Sequence, residues 1–310
     1  MNRFVTRLVL LIVIPVLLGV LLCEYFLRKV PNDYSYKNEW LTTNAASISA
    51  FCLGSSHSFY GIEPSLFSCK AFNASHVSQT LKYDHFIFSK FIDQMDSLKV
   101  LVLPISYSSL YDFGPENDIE DWRVKYYSIY YGCKFHKFEP KYRLETYYGL
   151  HLKRVFYSML GKVDHRTCNE LGRGTTYKLE CRSEDWQNSG IIAAKRHTLD
   201  IDTVVLEKNK KIVESMINKC GQKKVFIVIL TAPTYHTYRE NLNREQLKLM
   251  EDCCNSFVEH YDNVCYLNLL ADDRFLPDDF FDADHLNEFG AAKLTKILQQ
   301  TIDSLGILLN

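Results

Sequence analysis

Lys224–Leu230 has the sequence KVFIVIL, an uninterrupted apolar run that is rich in β-branched residues. A run of this kind is typical of a strand that is buried on both faces, as in a parallel sheet covered by helices. Shorter apolar runs elsewhere in the chain predict four more strands, at Ile48–Leu53, Lys70–Ala74, Lys99–Ile105 and Val264–Leu269.

Stretches with apolar residues at helical spacing lie between or after these strands. The predicted helices cover about 77–95, 201–220, 244–260 and 288–305. Strands that alternate with helices predict an α/β protein with a mostly parallel sheet and helices on both faces. In such sheets, ligands bind at the carboxyl ends of the strands.

The amino terminus contains Leu8–Cys23, sixteen residues without a charge. Counted on to Leu27, the apolar stretch reaches about the twenty residues that span a bilayer. A cleaved signal peptide is the alternative, but no small-x-small cleavage site follows the apolar run. We therefore predict an uncleaved signal anchor, a single transmembrane helix within residues 1–29.

The charges beside this anchor predict its orientation. Arg3 and Arg7 favour a cytoplasmic amino end, although Arg28 and Lys29 on the other side weaken that preference. The rest of the chain would then lie outside the cytoplasm, in the periplasm or at the cell surface, held by a single pass through the cell membrane.

The remaining sequence divides by its composition. Residues 30–47 are polar and predict a stalk, whereas residues 48–310 hold all the predicted strands. Between about 107 and 200 the alternation of strands and helices stops in a stretch rich in tyrosine and charged residues. Such an insertion usually covers or lines a site, so we predict a cap within the α/β domain.

The overall composition argues against several classes of function. The net charge of −1 gives no broad positive field for nucleic acid, so we expect no nucleic-acid partner. The ten cysteines are scattered, without a CxxC pair or a Cys/His zinc spacing. We therefore expect no metal and no cofactor.

Two short segments carry the candidate chemistry. In FDADHLNEFG, residues 281–290, Asp282 precedes His285 by three residues, so the carboxylate can accept the Nδ1–H of the imidazole and leave Nε2 as a general base. Far upstream, Gly54 ends a predicted strand and Ser56 follows it at a strand-to-helix turn. A serine at such a turn and a distant Asp/His pair predict a nucleophilic triad, with an oxyanion site at the Ser56 backbone N–H.

Each segment also has a simpler interpretation. The serines near Gly54 are common turn and helix-capping residues. His57 beside them would usually be a surface residue, or one that supports the site without being its base. The aspartates around Asp282 would form a solvated acidic loop, in which Asp284 could cap the final helix in place of Asn287. The combination of both segments at matching strand ends favours the catalytic interpretation.

The motifs GSSH at 54–57 and DADHLN at 282–287 resemble the first and last blocks of the SGNH (GDSL-type) hydrolase superfamily. With an amino-terminal anchor and a closing DxxHLNxxG, the chain resembles the membrane-anchored branch that takes part in cell-envelope acylation. The resemblance covers about residues 48–106 and 222–305. It implies a flavodoxin-like three-layer α/β/α fold.

The resemblance also implies roles for particular residues: Ser56 as nucleophile, His285 as base and Asp282 as the orienting carboxylate. The second family block donates a backbone N–H, a role that falls on Ala74 or Ser75. The third block normally offers an asparagine. This sequence has PISYS at 104–108 instead, in which Ser106 is the candidate hydroxyl donor.

We therefore expect a serine esterase or O-acyltransferase that acts on acyl esters of an envelope or surface polysaccharide. A multi-spanning acyltransferase is the expected partner if the reaction is transfer. The alternatives are an inactive glycan-binding or scaffold protein of polysaccharide export, and a metallohydrolase that uses His57 and His285 with the aspartates.

Overall fold

The computed structural model describes residues 2–114, 116, 120–134, 139–162 and 164–308. Within these residues, five strands form one sheet in the order β2-β1-β3-β4-β5, and every neighbouring pair is parallel. The strands are β1 (Ala50–Cys52), β2 (Ala71–Asn73), β3 (Val100–Pro104), β4 (Phe226–Thr231) and β5 (Val264–Asn268). The predicted α/β class with a parallel sheet is confirmed.

Helices precede, separate and follow these strands along the described chain. They are α1 (Arg3–Arg28, π-helical over Val9–Val13), α2 (Asp33–Asn44), α3 (Ser56–Gly61), α4 (Leu81–Phe91), α5 (Val124–Ile129), α6 (Leu152–Met159), α7 (Ser189–His197), α8 (Thr203–Gln222), α9 (His236–Arg239), α10 (Arg244–His260) and α11 (Glu288–Ser304). Short 3₁₀ turns occupy several of the connections.

Strands β1 to β4 are almost entirely buried because they are apolar at nearly every position, whereas the edge strand β5 is mostly half-buried. All residues of β3 are buried, and Val228 of β4 is fully buried in the same cluster. Helix α11 adds Leu294, Leu298 and Ile302 to this cluster. These three residues recur at helical spacing, so one face of the last helix covers the sheet.

The helix predicted at about 77–95 starts later than expected, since α4 begins at Leu81. Ser78 has a φ of +57°, and the N–H of Gln79 closes a turn on the carbonyl of His76. A left-handed residue cannot continue a right-handed helix, so the chain turns before α4 begins.

The chain forms two compact units, which cut it differently from the predicted anchor, stalk and domain. The first comprises residues 1–38 and 118–166, and the second residues 39–117 and 167–310. The predicted cap at 107–200 is therefore divided between them. The predicted stalk at 30–47 contains the whole of α2, and in the second unit Trp40 of this helix stacks on Phe72 with ring centroids 3.9 Å apart.

Helix α1 is 26 residues long, and its length and apolar composition are sufficient to cross a membrane. Its apolar side chains are exposed, including Leu11 and Leu21. A soluble protein rarely presents such a continuous apolar surface to water.

Candidate active site

Ser56 is held at the carboxyl end of β1 by a turn that only glycine fits. Gly54 has a φ of +110°, and a Cβ atom there would lie 2.9 Å from Cγ of Pro104 at the end of β3. The N–H of Gly54 donates to the buried carboxylate of Asp84 at 2.7 Å. The chain then enters α3 with Ser56 as its first residue, as the strand-to-helix turn predicts.

The loop before α11 is fixed by its backbone. The N–H of Tyr235, which follows β4, donates to the carbonyl of Ala283 at 2.8 Å, and the N–H of Ala283 donates to Oγ of Ser189 at 3.0 Å. Asn287 caps α11 by accepting from two N–H groups of its first turn. Asp284 therefore does not cap this helix, and its side chain is left to another role.

These two segments bring the predicted triad together. His285 Nε2 lies 2.8 Å from Ser56 Oγ, and His285 Nδ1 lies 3.0 Å and 3.1 Å from the two carboxylate oxygens of Asp282. Asp282 Oδ1 also accepts from the backbone N–H groups of Asp284 and His285. The carboxylate fixes the Nδ1–H tautomer, so Nε2 faces the serine as a proton acceptor.

Asp284 forms a second carboxylate contact to the same imidazole. Its Oδ1 lies 3.4 Å from His285 Nδ1, and the residue is 3% exposed. Within the described part of the chain, no hydrogen-bond donor meets its other oxygen, Oδ2. That oxygen lies 3.8 Å from His57 Nε2 and 4.0 Å from His197 Nδ1. The loop is therefore not a solvated acidic loop at this position.

His57 lies against His285, with the two rings stacked at 4.8 Å and 15°. Its Nδ1 is 3.3 Å from Oγ of Ser55 and 3.3 Å from Oγ of Ser106. Its Nε2 points towards Asp284, where a carboxylate favours an N–H. His57 thus links the ends of β1 and β3 to the buried aspartate.

The pKa values of the two stacked histidines are shifted in opposite directions. Burial opposes protonation of His285, but the carboxylates of Asp284 and Asp282 outweigh it and raise the pKa of the imidazole well above 6.5. Burial and the neighbouring His285 lower the pKa of His57 to about 3, although Asp284 acts in the opposite direction. A neutral His57 can therefore stack on a cationic His285 without charge repulsion.

Asp284 stays ionised because of its histidine neighbours. Burial alone would raise the pKa of its carboxyl, but His285, followed by His57 and His197, lowers that pKa below 3.8. Burial also lowers the pKa of His197 to about 4. A buried anion in contact with His285 stabilises the imidazolium that proton transfer from Ser56 creates.

An aromatic stack borders the triad. Tyr177 lies between Tyr60 at 3.6 Å and Phe281 at 4.0 Å, and its edge faces His285 with ring centroids 5.4 Å apart. This stack shields the imidazole from bulk water on one side, which strengthens the electrostatic contacts described above.

The candidate oxyanion residues are placed differently. The N–H of Ser75 donates to Oδ1 of Asn73, and the N–H of Ala74 donates to the carbonyl of Cys52. Both N–H groups are engaged in the fold, so the geometry gives the predicted role of Ser75 no support. Ser106 does reach the site, but its hydroxyl contacts His57. Ser56 opens α3, where the first N–H groups have no acceptor within the helix.

The sequence alone does not mark Asp284, His197, Tyr60 or Tyr177 as site residues. His197 ends α7 within a polar stretch, and Tyr177 lies in an irregular segment, so neither has a periodic pattern around it. The DxDH spacing around Asp284 is the one signal that could have indicated a second carboxylate.

A metal ion has candidate ligands here. One ligand atom each of His57, Asp284 and His285 lies within 4.8 Å of the others. Both nitrogens of His285 already face other groups, however, with Nε2 at Ser56 and Nδ1 at Asp282. The set fits a metal only if His285 gives up one of these contacts.

The fold and this site together define an α/β protein with a serine–histidine–aspartate arrangement at the carboxyl ends of its parallel strands. No protein-family model matches the chain, and no curated protein matches it significantly.

Proposed function

We propose that the protein is a membrane-anchored serine esterase or O-acyltransferase of the SGNH type, which acts outside the cytoplasm on acyl esters of cell-envelope or surface polysaccharide. The observation that carries this proposal is the 2.8 Å contact between Ser56 Oγ and His285 Nε2, with Asp282 behind the imidazole. The strand order 2-1-3-4-5 supports the three-layer flavodoxin-like arrangement that such enzymes share.

In the first half-reaction, Ser56 Oγ attacks the acyl carbonyl carbon while its proton passes to His285 Nε2. Asp282 and Asp284 stabilise the resulting imidazolium. The tetrahedral intermediate then expels the alcohol, which takes the proton from His285, and an acyl ester remains on Ser56.

In the second half-reaction, His285 Nε2 removes a proton from the acceptor as the acceptor oxygen attacks the acyl carbonyl carbon. The tetrahedral intermediate then breaks its bond to Ser56 Oγ, which takes the proton back from His285. If the acceptor is water, the protein is an esterase. If it is a sugar hydroxyl, the protein transfers the acyl group to a glycan. The polysaccharide substrate and a multi-spanning acyltransferase partner rest on the family resemblance alone.

The anchor is part of the proposal. Helix α1 is long and apolar enough to span a bilayer, and Arg3 and Arg7 favour a cytoplasmic amino end. The site would then face the periplasm or the cell exterior, where polysaccharide is modified.

The direct test compares the wild-type chain with Ser56→Ala on an activated aryl ester and on a fluorophosphonate that labels nucleophilic serines. We expect Ser56→Ala to lose the label and to lower kcat/KM by about 10⁴ or more. Ser55→Ala is the matched control, because its Oγ contacts His57 and not His285. A wild-type rate no higher than that of Ser56→Ala would remove the enzyme proposal.

The rival is an inactive scaffold that binds glycan. It is favoured by the engaged N–H groups of Ala74 and Ser75 and by the missing third-block asparagine, since each absent oxyanion donor costs roughly 10²–10³ in rate. Glycan binding that persists in a variant with alanine at Ser56, Asp282 and His285, together with no turnover by the wild type, would favour the scaffold.

A metallohydrolase is the other rival, and the cluster of His57, Asp284 and His285 is the observation in its favour. Exhaustive chelation separates the two mechanisms. We expect ester turnover to be unchanged after chelation, and a loss that zinc restores would replace the serine mechanism by a metal-dependent one.

A further inference from the structure

Helix α6 packs beside the carboxyl-terminal turns of α1, within the first compact unit. Val155 forms a small apolar cluster with Cys23 and Leu27, and Oγ of Ser158 donates to the carbonyl of Phe26 at 3.3 Å. One side of α6 is therefore attached to the membrane-anchor helix.

Another side of α6 is apolar and exposed. Leu152, Phe156 and Met159 are 64%, 59% and 57% exposed, and they recur at the i, i+4, i+7 spacing of a single helical stripe. Leu160, which follows, is also exposed. A stripe of this kind on an eight-residue helix is costly in water and indicates an apolar environment outside the protein.

The position of α6 along α1 is fixed by polar contacts. The Glu24 carboxylate accepts from the backbone N–H groups of Glu145 and Thr146 and from Oγ1 of Thr146. Arg28 Nε donates to the same carboxylate at 2.6 Å. A carboxylate satisfied by protein donors marks the end of the lipid-facing part of α1, since a lipid-exposed charge would have no such partners.

Helix length sets the depth of this point. The hydrocarbon core is about 30 Å thick and takes about 20 helical residues, which matches the distance from Phe4 to Cys23. Cys23 and Glu24, at 9% and 8% exposed, are the first buried residues in the described part of α1. Helix α6, which contacts Cys23 and Leu27, is therefore level with the boundary between acyl chains and headgroups.

The side chains around the stripe suit that boundary. Tyr147, Tyr148 and Tyr157 are between 39% and 52% exposed, and aromatic rings of this type gather at membrane interfaces. Lys153 is exposed beside them and can reach anionic headgroups.

We propose that α6 lies in the membrane interface and contacts lipid through Leu152, Phe156 and Met159, as a second membrane-binding element beside α1. The inference rests on the proposed insertion of α1. The lipid surface is the chosen occupant because the stripe is continuous with the helix that enters the bilayer.

The test uses the full chain in vesicles that contain phosphatidylcholine and phosphatidylglycerol. Phe156→Trp places an indole in the stripe, and the parent chain, which has three tryptophans, supplies the background. Vesicles with lipids brominated near the headgroup end of the acyl chains should quench the added fluorescence about twofold or more. Deep bromination should quench it less.

Lys134→Trp is the matched control, because Lys134 is exposed in the same unit but outside the stripe. We expect its fluorescence to be unquenched, and Met159→Trp to repeat the result of Phe156→Trp. Equal emission of Phe156→Trp in brominated and plain vesicles, or equal quenching of Lys134→Trp, would overturn the inference.

An alkaline wash followed by flotation separates this inference from the proposed anchor. Chains that float with the vesicles but show no quenching would retain the anchor and exclude interfacial α6. Chains that do not float would exclude both.

Discussion

The first turn of α3 and the loop before α11 each contribute one histidine to the site, and the centroids of the two stacked rings lie 4.8 Å apart. His57 has hydroxyl groups at its Nδ1, whereas His285 has two carboxylates at the same atom. The pKa of His57 is therefore far below the usual 6.5, so this imidazole stays neutral. The pKa of His285 is well above 6.5, so this imidazole binds a proton readily.

This contrast shows that burial does not decide the role of a histidine. Both rings are about equally buried, with 9% of each side chain exposed. The groups at Nδ1 differ. His285, beside two carboxylates, is suited to receive a proton, whereas His57 links the ends of β1 and β3 to Asp284.

Replacing each histidine in turn should separate their roles most clearly. We expect His285→Ala to lower kcat/KM for an aryl ester by about 10⁴ or more, because Ser56 then has no proton acceptor. His57→Ala should cost about tenfold or less, because it removes only the bridge between Ser55, Ser106 and Asp284.

The comparison needs evidence that both variants fold. Circular dichroism and thermal unfolding of each variant provide the control. If both variants fold and His57→Ala lowers kcat/KM more than His285→Ala does, His57 would be the base and the roles of the two histidines would be reversed.

The two carboxylates at His285 should also differ in their effect on rate. Asp282→Asn keeps the shape but offers an amide to Nδ1, so we expect a drop in kcat of about 10³–10⁴. Asp284→Asn should leave kcat within about tenfold, since Asp282 still orients the ring. Steady-state kinetics on the same ester measure both, and equal losses would mean that the carboxylates act as one unit.

Part of this site could be predicted from local sequence alone. Gly54 before Ser56 at the end of an apolar run predicts a turn that exposes the serine, and the three-residue spacing predicts contact between Asp282 and His285. Both signals are local, because a turn is fixed by the few residues within it. The approach of Ser56 to His285 followed from the rule that parallel strands share a carboxyl edge.

The rest depended on contacts between distant segments. Asp284 points inward because Tyr235 and Ser189 hold the backbone at Ala283, and neither contact leaves a trace in the loop sequence. In the same way, the sequence makes Ser75 a candidate oxyanion donor, but in the folded chain its N–H donates to Oδ1 of Asn73. The strand at Lys224–Leu230 was predictable because its apolar pattern alone requires burial on both faces.

The smallest effect concerns pH. The base must be neutral to accept a proton from Ser56, and the carboxylates raise the pKa of His285 above 6.5, so activity should fall as pH drops through that raised value. Asp284→Asn removes one carboxylate and lowers this pKa. We therefore expect the acidic limb of kcat/KM to move to lower pH, with about tenfold more neutral His285 on that limb for each unit of pKa shift.

Stability should move in the opposite direction, which distinguishes electrostatics from a general loss of packing. The raised pKa of His285 stabilises the folded state fully below pH 6.5, and this contribution is lost as pH rises through the folded-state pKa. The lowered pKa of Asp284 stabilises the folded state fully above pH 3.8, and this contribution is lost as pH falls through its folded-state pKa. Both contributions are complete between pH 3.8 and pH 6.5. Urea unfolding should therefore show that Asp284→Asn loses the most stability near pH 5 and less at alkaline pH. Asp252→Asn, on the exposed side of α10, serves as the matched charge-removal control. If the acidic limb stayed in place in Asp284→Asn, Asp282 alone would set the pKa of His285. The two histidines would then differ in effect by one carboxylate and not by two.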